Sequence, residues 1–438
     1  MTHTFKNQLF FALIGIALAL CFTFFGMQTF ILVGGLVFIY LSFLNPNYSL
    51  GLLIIAIPFI EPEYMLMVML MVIFFYGLHY INEGRTHPLH YNIQGFLLLF
   101  VVLVIFTTFF SVSIKASQRD FILHILSLGI LFVMINREHT KKDIHILYVC
   151  FIGAGIISAV YGIYQMIIRV PMGSGWVDPS INPNVVSRVY ATFENPNIFA
   201  LFLLFVLPIT LSLFYTSKKI ESKIIFGTSW LLMVMALVFT FSRGGYLAFS
   251  IGLLLFIILT NPKNIIGLTI IGVLSIPLLP PVIWERILTI GSATDSSNYY
   301  RLVLWNGAFD MIQDYWHLGT GLGYASFREV VPRYFSEMSP YHLHNTFLQF
   351  FVETGVLGIT LLILLILMII KITLKVIGNE KDNYVKNTTA ALLAAFVSIF
   401  IHGMFEHLLF NPKIIVYFWI LIGLILINYK FYKSRGKL

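Results

Sequence analysis

Charged side chains are scarce. Asp, Glu, Lys and Arg make up 11% of the 438 residues, against roughly 25% in soluble domains. Hydrophobic residues reach 59%, which excludes an ordinary soluble core and leaves a chain that crosses a bilayer repeatedly. Cysteine is almost missing. Cys21 and Cys150 both fall inside apolar runs, so neither a zinc site nor a disulfide between them is expected. Met1 to Phe25 has one lysine, Lys6, before an apolar run and no small-residue cleavage site. This stretch reads as an uncleaved first span rather than a signal peptide. There is no internal repeat, no low-complexity tract and no stretch that reads as a separate soluble domain, so residues 1–438 are expected to form a single membrane domain.

The apolar runs supply fourteen candidate spans, at 8–25, 28–44, 48–60, 64–80, 93–110, 120–136, 144–168, 197–215, 222–241, 244–260, 264–283, 346–370, 387–410 and 413–430. The short 48–60 run could be re-entrant, so the expectation is an all-α, polytopic integral membrane protein with 12–14 transmembrane helices. With the N-terminus in the cytoplasm, 17 of the 27 Lys and Arg residues fall in cytoplasmic connections. That satisfies the positive-inside rule and makes both termini cytoplasmic. The kind of charge also differs between the sides. The cytoplasmic set is 14 Lys and 3 Arg, and the outer set is 2 Lys and 8 Arg, namely Arg119, Arg169, Arg188, Arg243, Arg286, Arg301, Arg328 and Arg333. A guanidinium grips phosphate through two parallel hydrogen bonds. An arginine-rich outer face therefore suits a phosphate-bearing ligand, although pairing with loop carboxylates or lipid headgroups would also use such residues.

Two outer loops are long, about 169–196 and 284–345. In the second, Leu302, Trp305, Phe309 and Ile312 lie on one face of a helix expected to rest on the membrane surface. A second short helix is expected around 325–337. Gly319-Thr-Gly-Leu-Gly323 has no preceding strand, so it reads as a sharp turn between these helices and not as a nucleotide loop.

The most informative stretch runs from His344-Asn345 to Gly355 and Gly358. An imidazole and an amide stand at the head of an apolar helix, where a polar loop meets the bilayer surface. Histidine accepts a proton near neutral pH, so His344 is the candidate general base, with a helix-capping role as the plainer alternative. His342 could complete a metal pair, but Glu337 and Glu353 are the only nearby carboxylates in sequence and no metal is expected. Arg243, in the turn Phe241-Ser-Arg-Gly-Gly-Tyr246, is flanked by apolar runs and is expected to face a polar cavity or partner. His402, Glu406 and His407 are placed inside the penultimate span, with His402 and Glu406 on one face. These two either line the same cavity or hydrogen-bond each other. Glu353 is rotated off the face of His344 and is expected to hold a neighbouring helix, while remaining a candidate lining residue.

Three of these stretches, in this order, resemble the bacterial O-antigen ligase and O-antigen polymerase superfamily. They are Ser242-Arg243-Gly244-Gly245, Arg301 with Trp305 and Gly319-x-Gly-x-Gly323, and His344-Asn345 through Gly358. The resemblance covers about 230–360, with weaker likeness at Asn195-Pro-Asn197. It implies a membrane glycosyltransferase that inverts the anomeric centre without a metal or other cofactor. The implied donor is a glycan on undecaprenyl pyrophosphate in the outer leaflet of a bacterial plasma membrane, and the acceptor is a glycan or glycolipid hydroxyl. His344 would deprotonate the acceptor, and Arg243 and Arg301 would neutralise the leaving pyrophosphate. Arg188, Asn345, Glu353, His402 and Glu406 would line the substrate site. Other envelope-assembly proteins are conceivable partners, and nucleic acid is not. Ligase and polymerase share these motifs. A transporter or flippase of lipid-linked sugars would show repeats and broken helices near midplane, and an inactive scaffold would not need Arg243, Arg301 and His344 on one side.

The orientation is directly checkable. An impermeant thiol reagent applied to whole cells should label a Ser339→Cys variant and leave Lys381→Cys unlabelled. The opposite pattern would invert the topology.

Overall fold

The computed structural model describes residues 27–83, 91–171, 173, 185, 187–267, 281–288, 296–335 and 338–435. Among these residues every long element is an α-helix and no strand occurs. In order they are α1 (Met27–Leu44), α2 (Pro46–Ala56), α3 (Pro62–Glu83), α4 (Tyr91–Phe109), α5 (Ile114–Asn136), α6 (Lys141–Ile167), α7 (Pro196–Thr216), α8 (Ile220–Phe239), α9 (Arg243–Thr260), α10 (Pro281–Leu288), α11 (Ser296–Tyr315), α12 (Tyr324–Val330), α13 (Thr346–Asn379), α14 (Asn383–His402) and α15 (Pro412–Arg435). Nine of the described helices are long and apolar enough to span a bilayer, and three shorter apolar helices lie at Val33–Leu44, Pro46–Ala56 and Ile93–Phe109. Together they account for twelve of the expected spans. The 8–25 span and most of 264–283 lie outside the described residues. The chain is thus an all-α polytopic membrane protein.

Burial sorts the helices into a centre and a rim. The apolar windows of α7 and α15 are each 83% buried and that of α14 is 72%, whereas α8 is 22%. A helix that is apolar all round belongs inside a bundle, and α7 is nearly continuous Phe, Leu, Val and Ile. Since lipid is as apolar as leucine, close packing and buried hydrogen bonds must supply the association. The Ala390, Ala391, Ala394 and Ala395 run of α14 is fully buried, and a Cβ added at Gly252 of α9 would meet Ser398 at 1.9 Å. Asn428 of α15 donates to Thr389 (3.0 Å) and accepts from the Tyr148 hydroxyl (3.1 Å).

α13 is broken. Gly355 has φ 64° and ψ −166° inside it, a conformation only glycine adopts readily. A break at this depth frees backbone groups that lipid cannot satisfy, and the Gly319-x-Gly-x-Gly323 turn takes them up. Thr320 N–H donates to Val352 C=O (2.8 Å), Gly321 N–H to Glu353 C=O (3.0 Å), and Val356 N–H to Trp316 C=O (2.7 Å). Gly319, Gly321 and Gly323 all have positive φ, as their role as a sharp turn requires. A Cβ at Gly319 would sit 2.3 Å from the Glu353 carbonyl oxygen, so the turn also serves close approach.

The long loop has a core of its own, and one expectation for it is corrected. α11 buries Leu304, Ala308 and Met311 against α12 and α13, while Leu302 and Phe309 stay exposed. Its apolar residues form two adjoining stripes, and the loop core takes the one that i, i+4 counting from Leu304 defines. The second helix is shorter than expected, ending at Val330 with a single 3₁₀ turn over Val331–Arg333, where Pro332 intervenes.

Candidate functional site

Five helix ends converge on the turn 403–411 between α14 and α15. α14 stops at His402 with Gly403 as its cap, so Glu406 and His407 lie in the turn and not within a span. The apolar run 387–410 is long enough for a helix, but Gly403 at its end and Asn411-Pro412 ahead of α15 redirect the chain. Thr346, the first residue of α13, locks the turn. Its N–H donates to Gly403 C=O (2.7 Å), its hydroxyl donates to Glu406 C=O (3.0 Å), and the same hydroxyl accepts from Leu408 N–H (2.9 Å). Asn345 caps α13 by accepting from Phe347 N–H (2.9 Å) and Leu348 N–H (3.1 Å), and its amide reaches Met404 C=O at 3.3 Å. His344 just before it has φ 49°, an uncommon conformation for a residue with a side chain.

Glu406 is the centre of this arrangement and is 1% exposed. Its Oε1 lies 3.1 Å from His344 Nδ1 and 3.2 Å from His342 Nε2, and accepts from His407 N–H at 3.2 Å. Its Oε2 accepts from the Asn197 amide at 3.1 Å. Burial on its own would push this carboxyl up. The surrounding His344, His342 and Arg301 outweigh it and hold Glu406 well below the ordinary carboxylate range. An ionised carboxylate only accepts, so both imidazoles donate to it. His342 Nδ1 accepts from His344 N–H at 3.1 Å, which fixes the neutral His342 tautomer with its proton on Nε2. His344 with its proton on Nδ1 leaves Nε2 able to take another. The His344 side chain is 26% exposed and that of His342 is 7%, so His344 is the one open to a ligand.

The arginines meet the same turn. Arg301 of α11 donates through Nε to Phe405 C=O (3.1 Å). Arg243 begins α9 behind the Ser242 cap, and a Cβ added at its neighbour Gly244 would lie 3.6 Å from Phe405 and 3.7 Å from His402. Arg188 is 3% exposed. It donates to Thr240 C=O (2.8 Å) at the end of α8 and to Asn197 Oδ1 (3.0 Å). Asn197 thus links Arg188 to Glu406, and Arg188 supports the site from behind.

One of the two alternatives for His402 and Glu406 is excluded. His402 and Glu406 do not hydrogen-bond each other: Glu406 is committed to His344, His342 and Asn197, and both ring nitrogens of His402 are buried without a hydrogen-bond partner. Glu353 holds the head of a neighbouring helix through the glycine turn, accepting from the N–H of Gly323, the N-cap of α12 (3.1 Å), and from Gln349 Nε2 (2.8 Å). Asn197 and Thr346 are the participants that sequence reasoning missed. Asn197 stood in the weakly matching Asn195-Pro-Asn197, and Thr346 was hidden by the apolar run it heads.

His342, His344 and Glu406 present three donor atoms within 4.8 Å of one another, a set of the kind that holds divalent ions. Glu406, absent from the local sequence count, supplies the carboxylate. In the geometry described, the same atoms satisfy one another through hydrogen bonds.

Residues 228–363 match the family model described as O-antigen ligase. Over 197 residues the chain is 29% identical to a protein of Rickettsia prowazekii (strain Madrid E), whose name gives polysaccharide ligase as a provisional assignment. That match takes in 42% of this chain and 45% of the relative, so the chain spans less than half the relative's length. Both findings support the superfamily that the sequence motifs resemble. The matched segment carries Arg243, Arg301, His344 and Glu353, and stops short of Glu406.

The site makes stability pH-dependent in a defined direction. Burial lowers His342 well below the ordinary histidine range and His407 to about 3. In the unfolded chain both would titrate near about 6.5. A lowered histidine leaves stability intact above that value and removes it as pH falls below, by up to about 1.4 kcal/mol per pH unit for each histidine. The melting temperature of detergent-solubilised protein should therefore fall between pH 7 and pH 5, and less steeply in His407→Gln. A flat profile, or an unchanged slope in the variant, would contradict this account.

Proposed function

From the match of residues 228–363 to the family model described as O-antigen ligase, we propose that the protein transfers a glycan from undecaprenyl pyrophosphate to an acceptor sugar hydroxyl, as a ligase or polymerase of a surface polysaccharide. The family itself supports the coarser statement, a multi-pass membrane enzyme of surface-polysaccharide assembly. The His344–Glu406 contact carries the finer reading. Glu406 holds the proton on His344 Nδ1, and Nε2 takes the proton of the acceptor hydroxyl. The freed oxygen attacks the anomeric carbon from the face opposite the pyrophosphate. The bond from that carbon to the pyrophosphate oxygen breaks with inversion, and the electron pair leaves with the pyrophosphate.

Arg243 and Arg301 are the groups for that leaving charge. Both belong to elements that meet the 402–405 segment beside the base, and guanidiniums stabilise phosphate oxygens through charge-assisted hydrogen bonds. In this reading no metal is required, since cationic side chains supply the charge. The site faces the outer side of the membrane, following the Lys and Arg distribution. The shared chemistry leaves the acceptor as the only difference between ligase and polymerase.

With purified undecaprenyl-pyrophosphate-linked glycan, His344→Ala should lower transfer by about 10²–10⁴-fold while donor binding persists. EDTA should leave wild-type turnover unchanged. Wild-type rates in His344→Ala would remove the base from the mechanism, and no transfer by the wild type would favour a carrier of lipid-linked sugars. Loss of turnover in EDTA, restored by a divalent ion, would make His342, His344 and Glu406 metal ligands.

A further inference from the structure

The turn 403–411 orders more than the base. At one end, Phe405 C=O receives Arg301, and at Glu406 it holds His344. At the other end, Phe410 packs on the His342 ring, with centroids 4.5 Å apart, and on Tyr324 edge to face at 5.6 Å. Tyr324 in turn stacks on Tyr341, at 5.5 Å and 21° between planes. Arg328, one turn beyond Tyr324 on α12, lies 5.5 Å from both ring centroids. It donates to the Tyr324 hydroxyl (2.7 Å) and to Ser339 (3.4 Å). Tyr341 remains 61% exposed.

This is a stacked aromatic pair with a cationic rim, partly buried at Tyr324 and exposed at Tyr341, and the mechanism above does not use it. Two segments of the chain are brought together to build it, so it is more than a scattered membrane-interface tyrosine. Its chemistry is specific. One face of a pyranose ring presents only C–H groups and its edge presents hydroxyls. An aromatic face is electron-rich and attracts such C–H groups, and tyrosine offers a large contact area with little conformational freedom to lose. Arg328 and Ser339 add polar groups at the rim for the hydroxyls.

We propose that Tyr324, Tyr341 and Arg328 form a subsite for the acceptor glycan, holding a sugar a few units away from the one whose hydroxyl meets His344. The side is assigned by the turn. Arg301 meets it on the Phe405 side, where the pyrophosphate of the donor would leave, and the platform lies on the Phe410 side, across the base. This inference rests on the reading of His344 as the base between donor and acceptor, but binding at the platform can be measured without turnover.

The test uses full-length protein in nanodiscs and a lipid-free oligosaccharide released by mild acid from the surface polysaccharide of the source organism. Saturation-transfer NMR from the aromatic protons reads contact with the sugar ring. Wild type should transfer saturation to the sugar C–H protons. Tyr341→Ala should weaken binding roughly two- to tenfold, and Tyr341→Phe, which keeps the ring, should bind as wild type does. The readout is binding without turnover, so a failed mechanism for His344 leaves this result standing and a failed platform is seen separately. No saturation transfer in wild type, or equal binding by wild type and Tyr341→Ala, would overturn the proposal. So would a Tyr341→Ala effect confined to the lipid dependence of thermal stability, which would make the platform a membrane-interface belt.

Discussion

One buried carboxylate organises this end of the molecule. Glu406 is ionised in a place where an unpaired charge would cost several kcal/mol. It is tolerated because four donors from three separate stretches meet it: His342 and His344 ahead of α13, Asn197 at the head of α7, and the His407 backbone in its own turn. Removing any of these partners leaves the charge less compensated. The same constraint makes the position of His344 a property of the whole helix bundle, since α7, α13, α14 and α15 must all end where they do.

Secondary anchors extend outward from that carboxylate. Arg188 holds Asn197 and the end of α8, and so fixes the start of the turn that carries Arg243. Thr346 ties α13 to the 403–408 segment at three points. The break at Gly355 is stabilised by the glycine turn below α11, which thereby sets where α11 and Arg301 stand. Around the site, hydrogen bonds of this kind hold the buried polar groups, as an environment without water demands. Both ring nitrogens of His402 and Nδ1 of His407 are buried there without a hydrogen-bond partner.

Much of the fold was legible because lipid imposes a simple rule. Spans must be long and apolar, and twelve of the fourteen expected ones are helices among the described residues. The individual chemistry-bearing residues were legible too, because an ionisable group in an apolar run is conspicuous: His344, Arg243, Arg301 and Glu406 were all visible. Their connections were not. His344 and Glu406 are 62 positions apart, and no local pattern pairs them. Hydropathy carried the penultimate helix past Gly403, which assigned Glu406 to the face of His402 and obscured its bond to His344. Periodicity found the stripe of α11 that stays exposed at Leu302 and Phe309 but not the adjoining one, from Leu304, that meets protein.

The central claim is that His344 and Glu406 act as one unit in glycan transfer. The most direct measurement is a double-mutant cycle on kcat with purified lipid-linked donor, using His344→Ala, Glu406→Ala and the pair. Residues that work as a unit are strongly non-additive, so the double variant should be no slower than His344→Ala alone. If the two losses multiply instead, Glu406 acts independently of His344, and the carboxylate-held base is not how this site works.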